Sequence, residues 1–473
     1  MNKIFTQEFN DSYFKSFAKR FLFCNDRKQE ILQRSLYSSI VYSLVSLVNQ
    51  NPFRPTPIQG GLRKIDKTVT HLFWYVLWTI KWFILFRYSK KEDIINTALF
   101  METSSSIDYL KLLCIESEKK DVVIVNFGMI YNYPMLFRQN IYCHPFIIER
   151  YNLSDNNKNE SEKLSRMITK NIPESIDLNV LPTLEKDIQR LLVYYNVVEI
   201  YIAKIKKNKN IRFYLSDTDH LDTRTTLCEL HRSAGIRTIL IDHALNSFNC
   251  INNQVYSDQY LCWGEFQKIS FFANASQINV TNVVIPVGRP SSFFQATNSI
   301  RAQRWIYYLP SFQHQTKFSI LRSYSRTKEF ITAFEEFIQT SNAPAVLSIQ
   351  THPVDTLVVR KKFNHGISTI TTGKISEGCE LIIIEDSSII IDLLQYDIPI
   401  LYISNANGDD SMAIDKLKVG RIATSPSEIG SILPDLLKTP FNPVQRSKAF
   451  DYYIQPDHNM SSFKKHIQSM LVN

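Results

Sequence analysis

The sequence predicts an α/β protein made of two Rossmann-like domains with a cleft between them, preceded by a mostly helical N-terminal region. Three observations carry this. From Asp121 onward, short β-branched runs of buried-strand length alternate with helical stretches, the pattern of βαβ units and mainly parallel sheets. A polar, proline-bearing segment, residues 286–304 (PVGRPSSFFQATNSIRAQR), divides that alternation into two sets. Several strands also end in His, Asp or Ser, at the edge where open parallel sheets bind their ligands.

The elements follow in order. Residues 1–120 read as mostly helical, with Ile31–Val48 at helical spacing. Within them His71–Arg87 (HLFWYVLWTIKWFILFR) is apolar apart from its ends, Thr79 and Lys81, and is flanked by Arg63, Lys64 and Lys67 and by Lys90 and Lys91. It is shorter than the roughly 20 clean apolar residues a span requires. Two readings fit it: a helix lying in a membrane interface, or a buried core helix. The first α/β domain, 121–290, opens with a strand at Val122–Phe127. It continues with a long helix over Ile176–Lys206 and strands at Ile211–Leu215, Thr238–Ile241, Gln259–Trp263 and Val283–Val287, with a helix at Thr223–Ala234. The second, 300–440, has strands at Trp305–Leu309, Ala345–Gln350, Ile367–Thr371, Leu381–Glu385 and Ile398–Ile403. Its helices are Thr327–Thr340, Ser387–Gln395 and Ser427–Leu437. Residues 441–473 read as a C-terminal helix packing back.

Composition narrows the class. With 473 residues, 44% hydrophobic, the chain can bury two or three cores. A charged fraction of 21% and an aromatic fraction of 12% exclude a disordered chain. The net charge of +9 is spread over short clusters such as Lys119–Lys120, Lys204–Lys209 and Arg360–Lys362, either solvated faces or an attraction for anionic partners. No nucleic-acid-binding motif has the required spacing, so no nucleic-acid partner is expected. Seven cysteines without a CxxC pair indicate neither a disulfide framework nor a zinc site. The opening MNKIFTQEFNDSYFKSF holds acidic residues and no apolar run, so it is not a secretory signal. GxGxxG, GxxxxGK[ST], GxSxG and HExxH are absent, which argues against dinucleotide oxidoreductases, P-loop NTPases, elbow hydrolases and zinc peptidases.

Candidate site residues sit at strand ends. Leu381–Ser388 (LIIIEDSS) is an apolar strand running into Glu385, Asp386, Ser387 and Ser388 and then directly into an apolar helix. Helix-start amides with serine hydroxyls suit a phosphate or carboxylate, although any helix needs a cap there. Ala345–Pro353 (AVLSIQTHP) delivers His352 to a strand end, with Pro353 holding it extended, placed to donate to or protonate a leaving phosphate. The other His-Pro pair, His144–Pro145, reads as lacking strand context. Ser311 ends the strand of WIYYLPSF, as a phosphate contact or a turn residue. In the first domain, RTILIDH ends in His243 and YLSDTDH in Asp217 and Asp219; each is a candidate base on an acceptor hydroxyl or a loop or core polar group. Arg289 in VGRP is a diphosphate clamp or a surface ion pair. Asp217–Thr218–Asp219 has DxD form but is too short to imply a metal, so no metal site is expected.

The order of ILIDHALNSF, DQYLCWGEF, VGRP, YYLPSF, HP and EDSS…DIPILYI resembles the GT-B transferases of bacterial surface polysaccharides, capsule and lipopolysaccharide, over about residues 211–405. It is similar to the HP-motif sialyl- and Kdo-transferases and to the CDP-glycerol glycerophosphotransferases. The resemblance implies a metal-independent glycosyltransferase with an acceptor-side domain at 121–290 and a nucleotide-donor domain at 300–440. The donor it implies is a nucleotide sugar, CMP-linked like Kdo or sialic acid or activated by another nucleotide. It is held by His352, Ser387 and Ser388, with His243, Asp217 or Asp219 as base and a glycan or glycolipid hydroxyl as acceptor. No cofactor beyond that activated donor is implied. Cytoplasmic location and peripheral attachment to the inner membrane are implied as well. Ala244 stands where the teichoic-type pattern has glycine, which weakens the alternative of CDP-alditol phosphate transfer. A nucleotide-sugar epimerase and a non-catalytic assembly protein are the further alternatives.

Overall fold

The computed structural model describes residues 21–22, 24–48, 76–84, 93–99, 104–127, 136–137, 139–144, 155–171, 184–218, 222–242, 255–274, 283–290, 294–297, 303–309, 324–341, 345–350, 369–370, 378–385, 387–404, 410, 412–439, 442–457 and 460–472. Two parallel sheets organise them. The first holds β1 (Asp93–Ala98), β2 (Val123–Asn126), β3 (Ile141–Cys143), β4 (Asn210–Ser216), β5 (Thr238–Ile241), β6 (Gln259–Cys262) and β7 (Val283–Pro286). The second holds β8 (Arg304–Tyr308), β9 (Val346–Gln350), β10 (Thr369–Ile370), β11 (Leu381–Ile384), β12 (Ile400–Ile403) and β13 (Arg421–Ala423). Their orders are β3-β2-β1-β4-β5-β6-β7 and β10-β9-β8-β11-β12-β13, all neighbours parallel. Each is a doubly wound Rossmann order with a switch point, between β1 and β4 in the first sheet and between β8 and β11 in the second.

The helices are α1 (Arg27–Val48), α2 (Ser104–Lys119), α3 (Asp155–Lys170), α4 (Leu184–Asn208), α5 (Asp222–Ser233) and α6 (Glu265–Asn274), then α7 (Tyr324–Thr340), α8 (Ile390–Leu393), α9 (Ile414–Leu417), α10 (Ile429–Leu436), α11 (Pro443–Tyr453) and α12 (Ser461–Val472). One face of the first sheet packs on α4 and α5 through Tyr194, Tyr201, Leu227 and Cys228. The other face packs on α2 and α12 through Tyr109, Leu110, Phe463 and Ile467. In the second sheet, alternation sends Trp305, Tyr307, Leu381 and Ile383 toward α7 and α10, and Ile306, Tyr308, Ile382 and Ile384 toward α8 and α11.

The described part of residues 1–120 is mostly helical, as expected, but the first α/β domain begins before residue 121. α1 and α2 are helical, but β1 lies between them and is a central strand of the first sheet. Its sequence, DIINTA, hides this because two of its buried residues are polar. Asn96 bonds the His231 ring at 2.8 Å and accepts the Tyr201 hydroxyl at 3.0 Å, while Thr97 donates to Asn126 at 2.9 Å. A buried strand can carry such residues once each finds a partner. α1 is clamped to α5 by Glu229, which is fully buried and takes Arg27 at 2.6 Å and Arg34 at 3.0 Å.

The apolar segment that begins at His71 is described over residues 76–84, which are helical. The buried-core reading describes one side of it. Trp78 enters the core on one face of the first sheet and Trp82 the core on the other, so the helix lies along the edge at β3. Lys81, between them, donates to the carbonyls of Phe137 (2.5 Å) and Gln139 (2.7 Å) and sits among the rings of Trp78, Phe137 and Tyr142. The edge is thereby covered rather than left open. Among the described residues no helix is long and apolar enough to cross a membrane.

The chain's last two helices serve different sheets. α11 packs in the second core through Ala449, Phe450 and Tyr453. Its end passes against Gly264, where a Cβ would stand 2.5 Å from the Tyr453 carbonyl, so only glycine allows that approach. Asp457 then caps α12, accepting from the Ser461 and Ser462 amides at 2.9 and 2.7 Å. Burial raises the affinity of that carboxyl group for a proton, but these bonds outweigh it and hold the group below its ordinary range. α12 returns to the first sheet, with Met460, Phe463, Ile467, Met470 and Leu471 all buried in its core.

Candidate functional site at the two sets of strand ends

At the second sheet's switch point the carboxyl ends of β9, β8 and β11 stand side by side. The Leu309 amide donates to the Gln350 carbonyl at 2.9 Å, tying the end of β8 to that of β9. These are the strands after which Ser311, His352 and Glu385–Ser388 follow in sequence. Ser311, His352 and Asp386 themselves lie outside the described residues.

Glu385, Ser387 and Ser388 are described. Glu385 is 3% exposed, and its carboxyl group accepts the Tyr307 hydroxyl at 2.7 Å and the Thr327 hydroxyl at 3.3 Å. It joins β8, β11 and the start of α7, so it holds the strand end in place. Ser387 and Ser388 are half-buried in the turn that leads into α8. The Ile389 amide points to the Ser387 Oγ at 3.4 Å, and the Ile390 and Ile391 amides to the Ser387 and Ser388 carbonyls. The helix expected from Ser387 therefore begins at Ile390, after one tight turn. A cation that sequence reading missed stands on the same edge. Arg326, in the first turn of α7, reaches the carbonyls of Ser404 after β12 and Thr424 after β13.

The first sheet presents Asp217 after β4, at its switch point. Asp217 is buried and accepts the Ser106 hydroxyl at 2.9 Å, with the Arg224 guanidinium 3.9 Å away. Asp219 and His243 lie outside the described residues. The residue before His243 is described. Asp242 is buried at the end of β5, accepts from the Tyr260 hydroxyl and from the Gln267 amide at 2.6 Å, and its carbonyl takes the Trp263 indole N–H at 3.0 Å. Burial and the neighbouring Asp242 carboxyl push the Tyr109 hydroxyl and the Cys262 thiol well above their ordinary ranges. This buried network, with Ser106 beside Asp217, is a part of the site the strand-end motifs did not reveal. Its signal in the sequence was the adjacency of Asp242 to His243 and the i, i+4 spacing of Trp263 and Gln267.

Arg289 follows β7 and reaches Asp392 on α8 at 3.3 Å, with its guanidinium over the Trp263 ring at 5.2 Å from the centroid. Gly288 before it has φ +79°, a left-handed conformation that accounts for the glycine of VGRP. The Tyr109 hydroxyl donates to the Gly288 carbonyl at 2.5 Å. Arg289 is thus an ion-pairing residue that joins the carboxyl edge of the first sheet to the element just beyond Ser388. One contrast drawn from sequence is corrected: His144 does follow a strand, β3. Its ring packs among Trp82, Phe127 and Tyr201, and burial pulls its pKa down to about 3. Among the described residues no group of three His, Cys, Asp or Glu side chains converges as a metal site.

No family model and no curated protein sequence matches this chain. Solved structures do. MurG of Acinetobacter baumannii superposes with a TM-score of 0.42 at 9% identity, covering 80% of this chain and 99% of that one. A glycosyltransferase from Rickettsia africae gives 0.43 at 12% identity, covering 81% and 100%. The UDP-GlcNAc 2-epimerase of Methanocaldococcus jannaschii, in complex with UDP-GlcNAc and UDP, gives 0.40 at 11% identity, covering 75% and 98%. At identities and scores this low, no activity or substrate passes from those proteins to this chain, and the fold rests on its own two sheets.

Proposed function

We propose that this chain is a GT-B glycosyltransferase of surface-polysaccharide synthesis, moving a sugar from a nucleotide-activated, CMP-linked donor to a glycan or glycolipid hydroxyl on the cytoplasmic side. One observation carries the reading. β9, β8 and β11 are adjacent, so the His352, Ser311 and Ser387–Ser388 motifs follow three neighbouring strands at a single switch point, where doubly wound sheets hold nucleotides. The Arg289–Asp392 pair, which brings the strand ends of the other sheet to the same place, supports it.

In this reading the donor phosphate lies against the Ser387 and Ser388 hydroxyls, and His352 donates a proton or hydrogen bond to the departing phosphate oxygen. A base from the first sheet, His243, Asp217 or Asp219, removes the acceptor hydroxyl proton. The acceptor oxygen then bonds the anomeric carbon as the bond from that carbon to the phosphate oxygen breaks, releasing CMP. Asp242 positions the strand end that carries His243. The charge is met by protein donors, so the reaction runs without a metal ion. The test is a panel of nucleotide donors with glycan acceptors, read by nucleotide release and by product mass. A product heavier by one sugar, formed in the presence of EDTA and abolished in a folded His352→Ala variant, is the expected result. Full turnover by His352→Ala overturns the assignment, and a product carrying an alditol phosphate overturns sugar transfer.

A further inference from the structure

Trp263 follows β6 of the first sheet, yet it is buried in the core of the second, on the α8–α11 side with Ile390, Ile391 and Tyr453. Its polar groups all reach strand ends or crossings. The indole N–H donates to the Asp242 carbonyl at 3.0 Å, and Asp242 precedes His243 in sequence. The Trp263 amide donates to the Gln267 side chain at 2.7 Å, and that same side chain holds the Asp242 carboxyl group at 2.6 Å. The Trp263 carbonyl accepts from the Gly288 amide at 3.2 Å, where the chain leaves the first sheet. It also accepts from the Gln455 amide at 2.7 Å, where the chain returns. Arg289 lies over the ring at 5.2 Å from the centroid and shares its guanidinium with Asp392 on α8 at 3.3 Å. A cation over an indole face gains strength as the ring is desolvated, and it polarises the N–H toward its acceptor. Asp392 is half-exposed and competes weakly for that cation. A phosphate at the Ser387–Ser388 turn competes strongly, because the guanidinium fork matches phosphate oxygens.

We propose that Trp263 is a positioning residue that carries donor occupancy, sensed as charge at Arg289, to the strand end before His243. The proposal rests on the transferase reading and adds a coupling between its two halves. A bound donor draws Arg289 off the ring. The indole N–H then loosens its hold on the Asp242 carbonyl, and the end of β5 is freed to receive the acceptor. Such a coupling is reciprocal, so the acceptor raises donor affinity by the factor by which the donor raises acceptor affinity.

The experiment uses the full chain with isotope-labelled tryptophan, so that each indole N–H gives its own NMR signal. The Trp263 signal is identified by its loss in Trp263→Phe, or by its shift in Gln267→Ala should that core change fail to fold. Saturating CMP or CDP should move the signal and speed its hydrogen exchange roughly fivefold or more, the low end of coupling between sites. Arg289→Ala, with no nucleotide present, should move the signal in the same direction, and nucleotide should then add little. A nucleotide that binds by calorimetry but leaves the Trp263 signal where it was overturns the proposal while the transferase reading stands. So does an Arg289→Ala signal identical to that of the parent. Absence of binding by every nucleotide tested overturns the donor reading and this proposal with it.

Discussion

Tyr307 and Thr327 both donate to Glu385, so truncating that carboxyl group leaves two hydroxyls in the core without their acceptor. Glu385→Ala should cost about 2–4 kcal/mol in urea unfolding, from orphaned donors and the cavity together; Glu385→Gln, which keeps an acceptor oxygen, should cost clearly less. Equal losses would mean the bonds are not what Glu385 supplies. The two buried histidines make a different prediction. Burial pulls His231 down to about 4 and His144 to about 3. Both folded values lie below the unfolded one, so between those values and about 6.5 the unfolded chain binds more protons. The contribution of the two rings should be flat above about pH 6.5 and fall as the pH drops below it, by up to about 1.4 kcal/mol per unit for each ring. His231→Gln should be less stable than the parent at pH 7 but lose less on moving to pH 5, measured by denaturant unfolding at both. Parallel losses would show that His231 titrates normally in the folded protein.

At the level of elements, the pair between β7's end and α8 tests how the two edges communicate. Arg289 and Asp392 are partly exposed, the latter by 54%, so breaking the pair should change stability by less than about 1 kcal/mol. Its effect should fall on the donor. Arg289→Ala removes a cation beside the Ser387–Ser388 turn and should raise the donor KM about tenfold, the loss of one charge-assisted contact. Asp392→Asn only frees the guanidinium and should leave KM equal or lower. Identical KM values in the two variants would reduce Arg289 to a surface tie. The same scale shows what was legible beforehand. β8, β9, β11 and β12 were visible within two residues, because buried parallel strands are unbroken apolar runs such as LIII and ILYI. β1 was not, since Asn96 and Thr97 are polar residues paid for by partners far away in sequence. β3 is three residues long, and α6 follows its strand with no capping signal. For the site, strand ends were legible as motifs; what each side chain faces was not. Glu385 and Asp242 look alike in sequence, and the partners each one takes, Tyr307 and Thr327 for the first and Tyr260 and Gln267 for the second, lie far from it along the chain.

At the scale of the whole molecule, the described residues form two sheets, and the chain crosses between them twice. Residues 294–297 lead out of the first sheet, with Thr297 bridging Tyr396, and α12 leads back. Deleting residues 461–472 should therefore damage the first domain, not the second from which the segment departs. It strips Tyr109, Leu110 and Leu113 of the cover given by Phe463 and Ile467. Several large buried side chains at about 1.5–3 kcal/mol each exceed the stability of most domains, so the truncated protein should be insoluble or bind hydrophobic dyes strongly. A soluble, cooperatively unfolding truncation would show that α12 is dispensable.

That return has a bearing on how the molecule is made. Synthesis proceeds from the N-terminus, and domains ordinarily close as they emerge. Here every described strand of the first sheet has been synthesised by Pro286, yet one of its apolar faces waits for a helix that ends at Val472. Through the translation of nearly two hundred further residues that face is open, and it is then the part of the nascent chain most in need of a chaperone. The domain begun first is completed last.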